Sequence, residues 1–113
     1  MKFNYKSEGN IMIIDFDGDL IGEENGPDII EVVNNQISEG KTKCAVDISK
    51  VKYINSSGIG VLITILTKFR NKSGEVILIN PSDHVKKLLV ITKLNAIFNI
   101  ADNMQQAMTQ LNN

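Results

Sequence analysis

The sequence predicts an α/β fold, a mixed β-sheet of four to five strands with about four α-helices in the order β-β-α-β-α-β-α-β-α. Three observations carry that prediction. Short apolar runs at 11–16, 44–48 and 76–79 have the length and β-branched content of strands. Between and after them lie longer segments whose apolar residues recur at helical spacing, each bounded by glycine, proline or a capping residue. No internal repeat, low-complexity tract or linker interrupts the 113 residues, so 1–113 reads as a single domain.

The elements follow in order. Phe3 and Tyr5 alternate with polar residues, Glu8-Gly9-Asn10 forms a turn, and 11–16 returns as the second strand of a hairpin that Asp17-Gly18-Asp19 closes. A flexible stretch with Gly22, Asn25 and Gly26 leads to Pro27, which suits the first turn of a helix carrying Ile29, Ile30, Val33 and Ile37 inward and ending at Gly40. The run 44–48, apolar except for Asp47, reads as an interior strand covered on both faces. The second helix extends from the Ser56-Ser57 pair to about Lys72, and 76–79 is the next buried strand. Pro81-Ser82-Asp83 opens a third helix with Val85, Leu88 and Leu89 inward and Lys86 and Lys87 on a solvated face. Residues 97–100 add a short strand. Asp102 with Gln105 three residues later makes a capping-box-like start for a last helix, whose Met104, Ala107, Met108 and Leu111 form a core stripe.

Composition excludes several classes of function. A hydrophobic content of 42% with 22% charged residues is that of an ordinary globular protein. A formal net charge of −1 and the lack of a dense Lys/Arg cluster argue against nucleic acid and against an anionic membrane surface as partners. No apolar run reaches the length of a membrane span, and the first residues lack the core of a signal peptide. The lone Cys44 permits no internal disulfide and reads as a small buried hydrophobe, so a cytoplasmic location is expected. His84 is the single histidine and reads as a solvated first-turn residue, which excludes a multi-histidine metal site. No G-x-S-x-G, Walker A or G-x-G-x-x-G pattern occurs, and no cofactor, no metal and no catalytic role is expected.

The segment 51–60, Val-Lys-Tyr-Ile-Asn-Ser-Ser-Gly-Ile-Gly, is the most informative. A strand-like run gives way to two serines, and the helix pattern of Leu62, Ile65, Leu66 and Phe69 begins at once, so the helix starts at about Ser57. Helix N-terminal amides lack backbone partners and carry partial positive charge, so a hydroxyl there either caps them or accepts a phosphate that they stabilise. One hydroxyl suffices for a cap. Gly58 and Gly60 each cost about 1 kcal/mol relative to alanine in a helix, which implies a close approach to the backbone. In open sheets ligands and partners meet the loops at the carboxyl ends of strands, where Asn55-Ser56-Ser57 falls.

The element order, the Gly18-Asp19-Leu20 turn, the Asp47-Ile48-Ser49 strand ending, the S-S-G-x-G-V-L helix start and the late Leu94…Phe98-x-Ile100…Ala107…Leu111 pattern together resemble the STAS domain family, in particular the bacterial anti-sigma factor antagonists. The resemblance implies a non-enzymatic module that binds an anti-sigma factor, often itself a serine-protein kinase, and is switched off when that kinase phosphorylates it; a phosphatase would reverse the change. The modified serine of the family pattern corresponds to Ser57, with Ser56 as runner-up, and the partner-binding positions to Asn55, Ser56, Ser57, Gly58, Ile59, Gly60 and Ile21. Asn55 and Ile21 stand where family members often carry aspartate. Glu23 and Glu24 are then either nearby replacements or ordinary solvated loop residues. A phosphate would add about −1.5 to −2 charge at a place where free amides tolerate it, so binding would collapse while the domain kept its fold. The alternative is an adaptor of the same fold that is never phosphorylated.

Overall fold

The computed structural model describes residues 1–112. Five strands form one sheet: β1 (Lys2–Glu8), β2 (Ile11–Asp17), β3 (Lys43–Lys50), β4 (Glu75–Ile79) and β5 (Asn99–Ala101). Their spatial order is the chain order, with β1 antiparallel to β2 and every later pair parallel. Helices α1 (Gly22–Ser38), α2 (Ser56–Arg70), α3 (Asp83–Ile91) and α4 (Met104–Leu111) make the connections and the C-terminal end, joined by a 3-10 turn at Leu94–Ala96. The expected mixed sheet and four helices are thus present in the expected order.

The pleat divides the strand side chains between two cores. Met12, Ile14 and Phe16, Cys44, Val46 and Ile48, and Val76 and Leu78 point to one face, where Ile29 and Val33 of α1, five apolar residues of α2 and Val85 and Leu89 of α3 cover them. Ile11, Ile13, Ala45, Ile77 and Ile79 point to the other, where Ala107 and Leu111 of α4 lie across them. Because both faces are covered, the strands read as continuous apolar runs rather than alternations. Phe69 is completely buried and side chains of this size contribute about 1.5–3 kcal/mol each on burial. Cys44 is also buried, and burial pushes its thiol pKa well above the usual cysteine range, so it is an inert part of the core. The methionine stripe is only partly core: Ala107 and Leu111 are buried, whereas Met104 and Met108 are half-buried at its margin.

Three boundaries differ from the sequence expectation. α1 begins at Gly22, so Gly22, Asn25 and Gly26 are helical rather than flexible, and Pro27 lies inside the helix. The proline is tolerated because the amide it lacks would have bonded the Glu23 carbonyl, in the exposed first turn. α4 is capped one residue later than expected: Asn103 Oδ1 accepts the Gln106 amide, and Gln106 Oε1 accepts the Asp102 amide. The short last strand lies at Asn99–Ala101 instead of 97–100, because the 3-10 turn consumes the chain up to Ile97 while burying Leu94 and Phe98. α3 starts as expected, with Ser82 accepting the Val85 amide.

A shared helix start as the candidate functional site

The loops that leave β2 and β3 are zipped together beyond the end of the sheet. Gly18 N donates to Lys50 O at 3.2 Å, Leu20 N to Tyr53 O at 2.9 Å and Asn55 N to Leu20 O at 3.3 Å. Leu20 and Ile54 form an isolated parallel bridge and bury their side chains in the larger core. Two apolar anchors therefore fix the backbone just before α1 and just before α2, and bring the two helix starts side by side.

The cap of α2 is Asn55, not a serine. Asn55 has extended backbone, and its Oδ1 accepts the Gly58 amide at 2.7 Å. The same oxygen accepts the Gly22 amide of α1 at 3.2 Å and the Ser57 hydroxyl at 3.2 Å. α1 needs this help because its own N-cap residue is Ile21, whose side chain has no acceptor. One amide oxygen thus satisfies an orphan donor of each helix. Asn25 Oδ1 completes the turn by accepting the Ile21 amide at 3.1 Å.

The glycines divide by role. A Cβ on Gly22 would lie 2.3 Å from the Ser57 carbonyl carbon and oxygen, and one on Gly58 would lie 2.4 Å from the Leu20 oxygen. The close approach that the sequence implies at Gly58 is therefore made by the protein itself, and Gly58 is buried and offers a partner no surface. Around a Cβ on Gly60 nothing lies within 4 Å. Gly60 is open, half-exposed backbone of α2, and Thr64 Oγ1 donates to its carbonyl at 2.8 Å.

Glu23 completes the arrangement. Its Oε2 accepts Asn55 Nδ2 at 2.9 Å. The Ser57 hydroxyl, the Asn55 amide and its own backbone amide hold its carboxyl below the usual glutamate range, in that order of importance, although the side chain is fully exposed. Of the two readings open for Glu23 and Glu24, the structure places Glu23 in the hydrogen-bonded cluster, while Glu24 is exposed. Ser56 is exposed, and Ser57, Ile59, Gly60 and Ile21 are half-exposed, so these residues share one end of the molecule. Sequence reasoning gave Gly22 no role. Its signal was the spacing Gly22, Gly26, Ile29, Val33, which continues the inward face of α1 about two turns upstream if small residues are counted as core-facing.

The other singled-out residues have simpler roles. Asp47 Oδ1 accepts both the amide and the hydroxyl of Ser49, at 2.9 and 2.7 Å, so the D-x-S ending of β3 is a local turn device. His84 is exposed and its ring stacks on Tyr53, centroids 6.5 Å apart. Among the described residues no cluster of three His, Cys, Asp or Glu is arranged to hold a metal ion, and no helix is long and apolar enough to cross a membrane.

Comparison with known proteins gives a consistent picture. The crystal structure of TM1081 from Thermotoga maritima superposes with a TM-score of 0.89 at 27% identity, covering 98% of this chain and 95% of that one. A Listeria monocytogenes protein named anti-sigma-B factor antagonist is 32% identical over 65 residues, 58% of this chain and 56% of its own. SpoIIAA, an anti-sigma factor antagonist solved in its unphosphorylated form, shares the fold at 20% identity with a TM-score of 0.85 over 98% of this chain and 96% of its own; the Bacillus protein has also been solved phosphorylated. The family model of the STAS domain matches residues 2–107. That match spans all five strands and the first half of α4, so the chain belongs to the STAS domain family.

Proposed function

We propose that this protein is an anti-sigma factor antagonist, a binding module without catalytic activity of its own, whose docking on an anti-sigma factor is switched off by phosphorylation of Ser57. One observation carries the reading. Asn55 already caps α2, so the half-exposed Ser57 hydroxyl is not needed as the helix cap and stands at the positive end of two helices with only side-chain partners, Asn55 and Glu23. The kinase would move the γ-phosphoryl group of ATP onto Ser57 Oγ: the bond from phosphorus to ADP breaks, the Oγ–P bond forms, and the hydroxyl proton leaves to a base of the kinase. The docking surface consists of Ser56, Ser57, Ile59 and Gly60 with Asn55 and Ile21 beside them, and its open backbone at Gly60 suits close contact. A dianion in the middle of that surface imposes desolvation and repulsion on the complex while leaving the fold intact. The partner is an anti-sigma factor that is itself a serine-protein kinase, a phosphatase restores the active form, and the setting is the cytoplasm.

Incubation with the cognate kinase and ATP tests the site. Wild type and Ser56→Ala should take up one phosphate and Ser57→Ala none; equal uptake by Ser57→Ala removes the assignment. A second reading has its own observation, since a carboxylate already stands beside Ser57 and disfavours a further negative charge. On that reading the chain is a never-phosphorylated adaptor using the same surface. Mass spectrometry of protein from its native cell separates the two, because a phospho-form under any growth condition rules out the adaptor.

A further inference from the structure

We propose that Glu23 is the moving part of the Ser57 switch: a phosphate on Ser57 expels the Glu23 side chain from Asn55, so that modification of α2 also changes the surface of the first turn of α1. This inference rests on the reading of Ser57 as the modified residue, and it adds the device by which that modification spreads to a second helix.

The argument starts from what fixes Asn55. Its Oδ1 receives two backbone amides, Gly22 at 3.2 Å and Gly58 at 2.7 Å, one from each helix. Neither donor can rotate away, so the amide is held with Oδ1 toward the helix starts and Nδ2 toward Glu23. A flip would bring an NH2 group against two N–H groups and leave both helices uncapped. Asn55 is therefore a rigid fixture, and any adjustment near it falls on the groups that can move.

Phosphorylation acts on this fixture in two ways. Esterification removes the only proton of Ser57 Oγ, which serves either Asn55 Oδ1 or the Glu23 carboxylate, so the oxygen becomes an acceptor facing two acceptors and either bond is lost. The phosphate also brings about −1.5 to −2 charge next to the Glu23 carboxylate. Both anions then compete for the space around a single side-chain donor, Asn55 Nδ2. Phosphoserine carries the larger charge and stands at the second position of α2, at the positive end of that helix, whereas Glu23 is a fully exposed side chain with bulk water within reach. The dianion stays and the glutamate leaves.

The consequence is a surface change larger than the modified residue. In the unmodified protein Glu23 lies folded across the junction of the two helices, bonded to Asn55. In the phosphorylated protein the junction carries the phosphate and Glu23 projects into solvent from α1. A partner resting on both helix starts meets a new dianion and a displaced carboxylate instead of one carboxylate folded against Asn55. Gly22 makes this coupling possible, because only a residue without Cβ lets the α1 backbone approach Ser57 closely enough for Glu23 to reach Asn55.

A thermal-denaturation cycle tests the proposal without a kinase. Phosphoserine is placed at position 57 by genetic encoding, in wild type and in Glu23→Gln, and each is compared with its unmodified parent at low and high salt. Glu23→Gln keeps an acceptor for Asn55 Nδ2 and removes the charge. The expected result is a Tm change on phosphorylation that is at least 2 °C more favourable in Glu23→Gln than in wild type, with the difference shrinking at high salt, and faster amide exchange over 23–26 in phosphorylated wild type only. An equal Tm change in both backgrounds, or unchanged exchange over 23–26, overturns the proposal. Failure of the kinase to modify Ser57 would instead overturn the functional reading and leave this cycle unaffected.

Discussion

The starts of α2 and α4 use the same residue for the same local purpose and reach different ends. Both helices are capped by an asparagine whose Oδ1 accepts the amide three residues on, Asn55 to Gly58 and Asn103 to Gln106. At α4 the device closes on itself, because Gln106 reaches back to the Asp102 amide and the cap involves only 102–106. At α2 the same oxygen takes two further donors, one of them from α1, and the same amide gives its NH2 to Glu23. One asparagine is a local cap and the other a node joining two helices. The difference lies in what tertiary structure brings within 3.2 Å of the side chain, and not in the cap itself.

The sharpest way to break the node is steric. Gly22→Ala would place a Cβ 2.3 Å from the Ser57 backbone, where neither side can yield without separating the helix starts. A loss of about 3 kcal/mol or more is expected, read as a fall in the urea midpoint, against a small effect for alanine at an open glycine. Next come the two caps. Asn103→Ala should cost about 1 kcal/mol as an ordinary N-cap, whereas Asn55→Ala should cost about 2–3 kcal/mol because it also orphans the Gly22 amide. Equal losses in chemical denaturation would show that the extra donors contribute nothing. Gly60→Ala sharpens the contrast from the other side: with nothing within 4 Å it should gain up to about 1 kcal/mol, and if Gly60 touches the partner the same variant should bind more weakly in calorimetry. The smallest effect is electrostatic. Glu23 has a lowered pKa in the folded protein, so its contribution is present above the ordinary glutamate value of about 4.3 and is lost as pH falls through the folded value. The Tm difference between wild type and Glu23→Gln should be steady near pH 7 and narrow as the pH falls below the ordinary glutamate range.

How far the chain could be read depended on how local each feature was. The strands were legible because burial on both faces leaves apolar runs, as in 44–48 and 76–79, and α3 because Ser82 caps it from the preceding residue. The start of α1 was not legible. Its cap comes from Asn55, 33 positions away from Gly22, and nothing near Ile21 announces a helix. Proline at 27 pointed to a later start, and the glycines at 22 and 26 looked like flexibility when they are contact surfaces. The S-S-G segment drew attention to the start of α2 but assigned the cap to a serine, because serine and asparagine are equally good caps and only the backbone geometry of Asn55 decides between them. Glu23 could be named from the sequence and left undecided, since its role depends on the distance between two loops.

The sequence by itself determined the layered α/β arrangement, the order of its elements and the place where α2 begins, because hydrophobic periodicity and local capping are written in neighbouring residues. Only the tertiary structure decided that α1 and α2 share one cap, that Gly58 faces the protein while Gly60 faces outward, and that a glutamate stands beside Ser57. Each of these is a contact between segments far apart in the chain, set by how Leu20 and Ile54 anchor the two loops in the core.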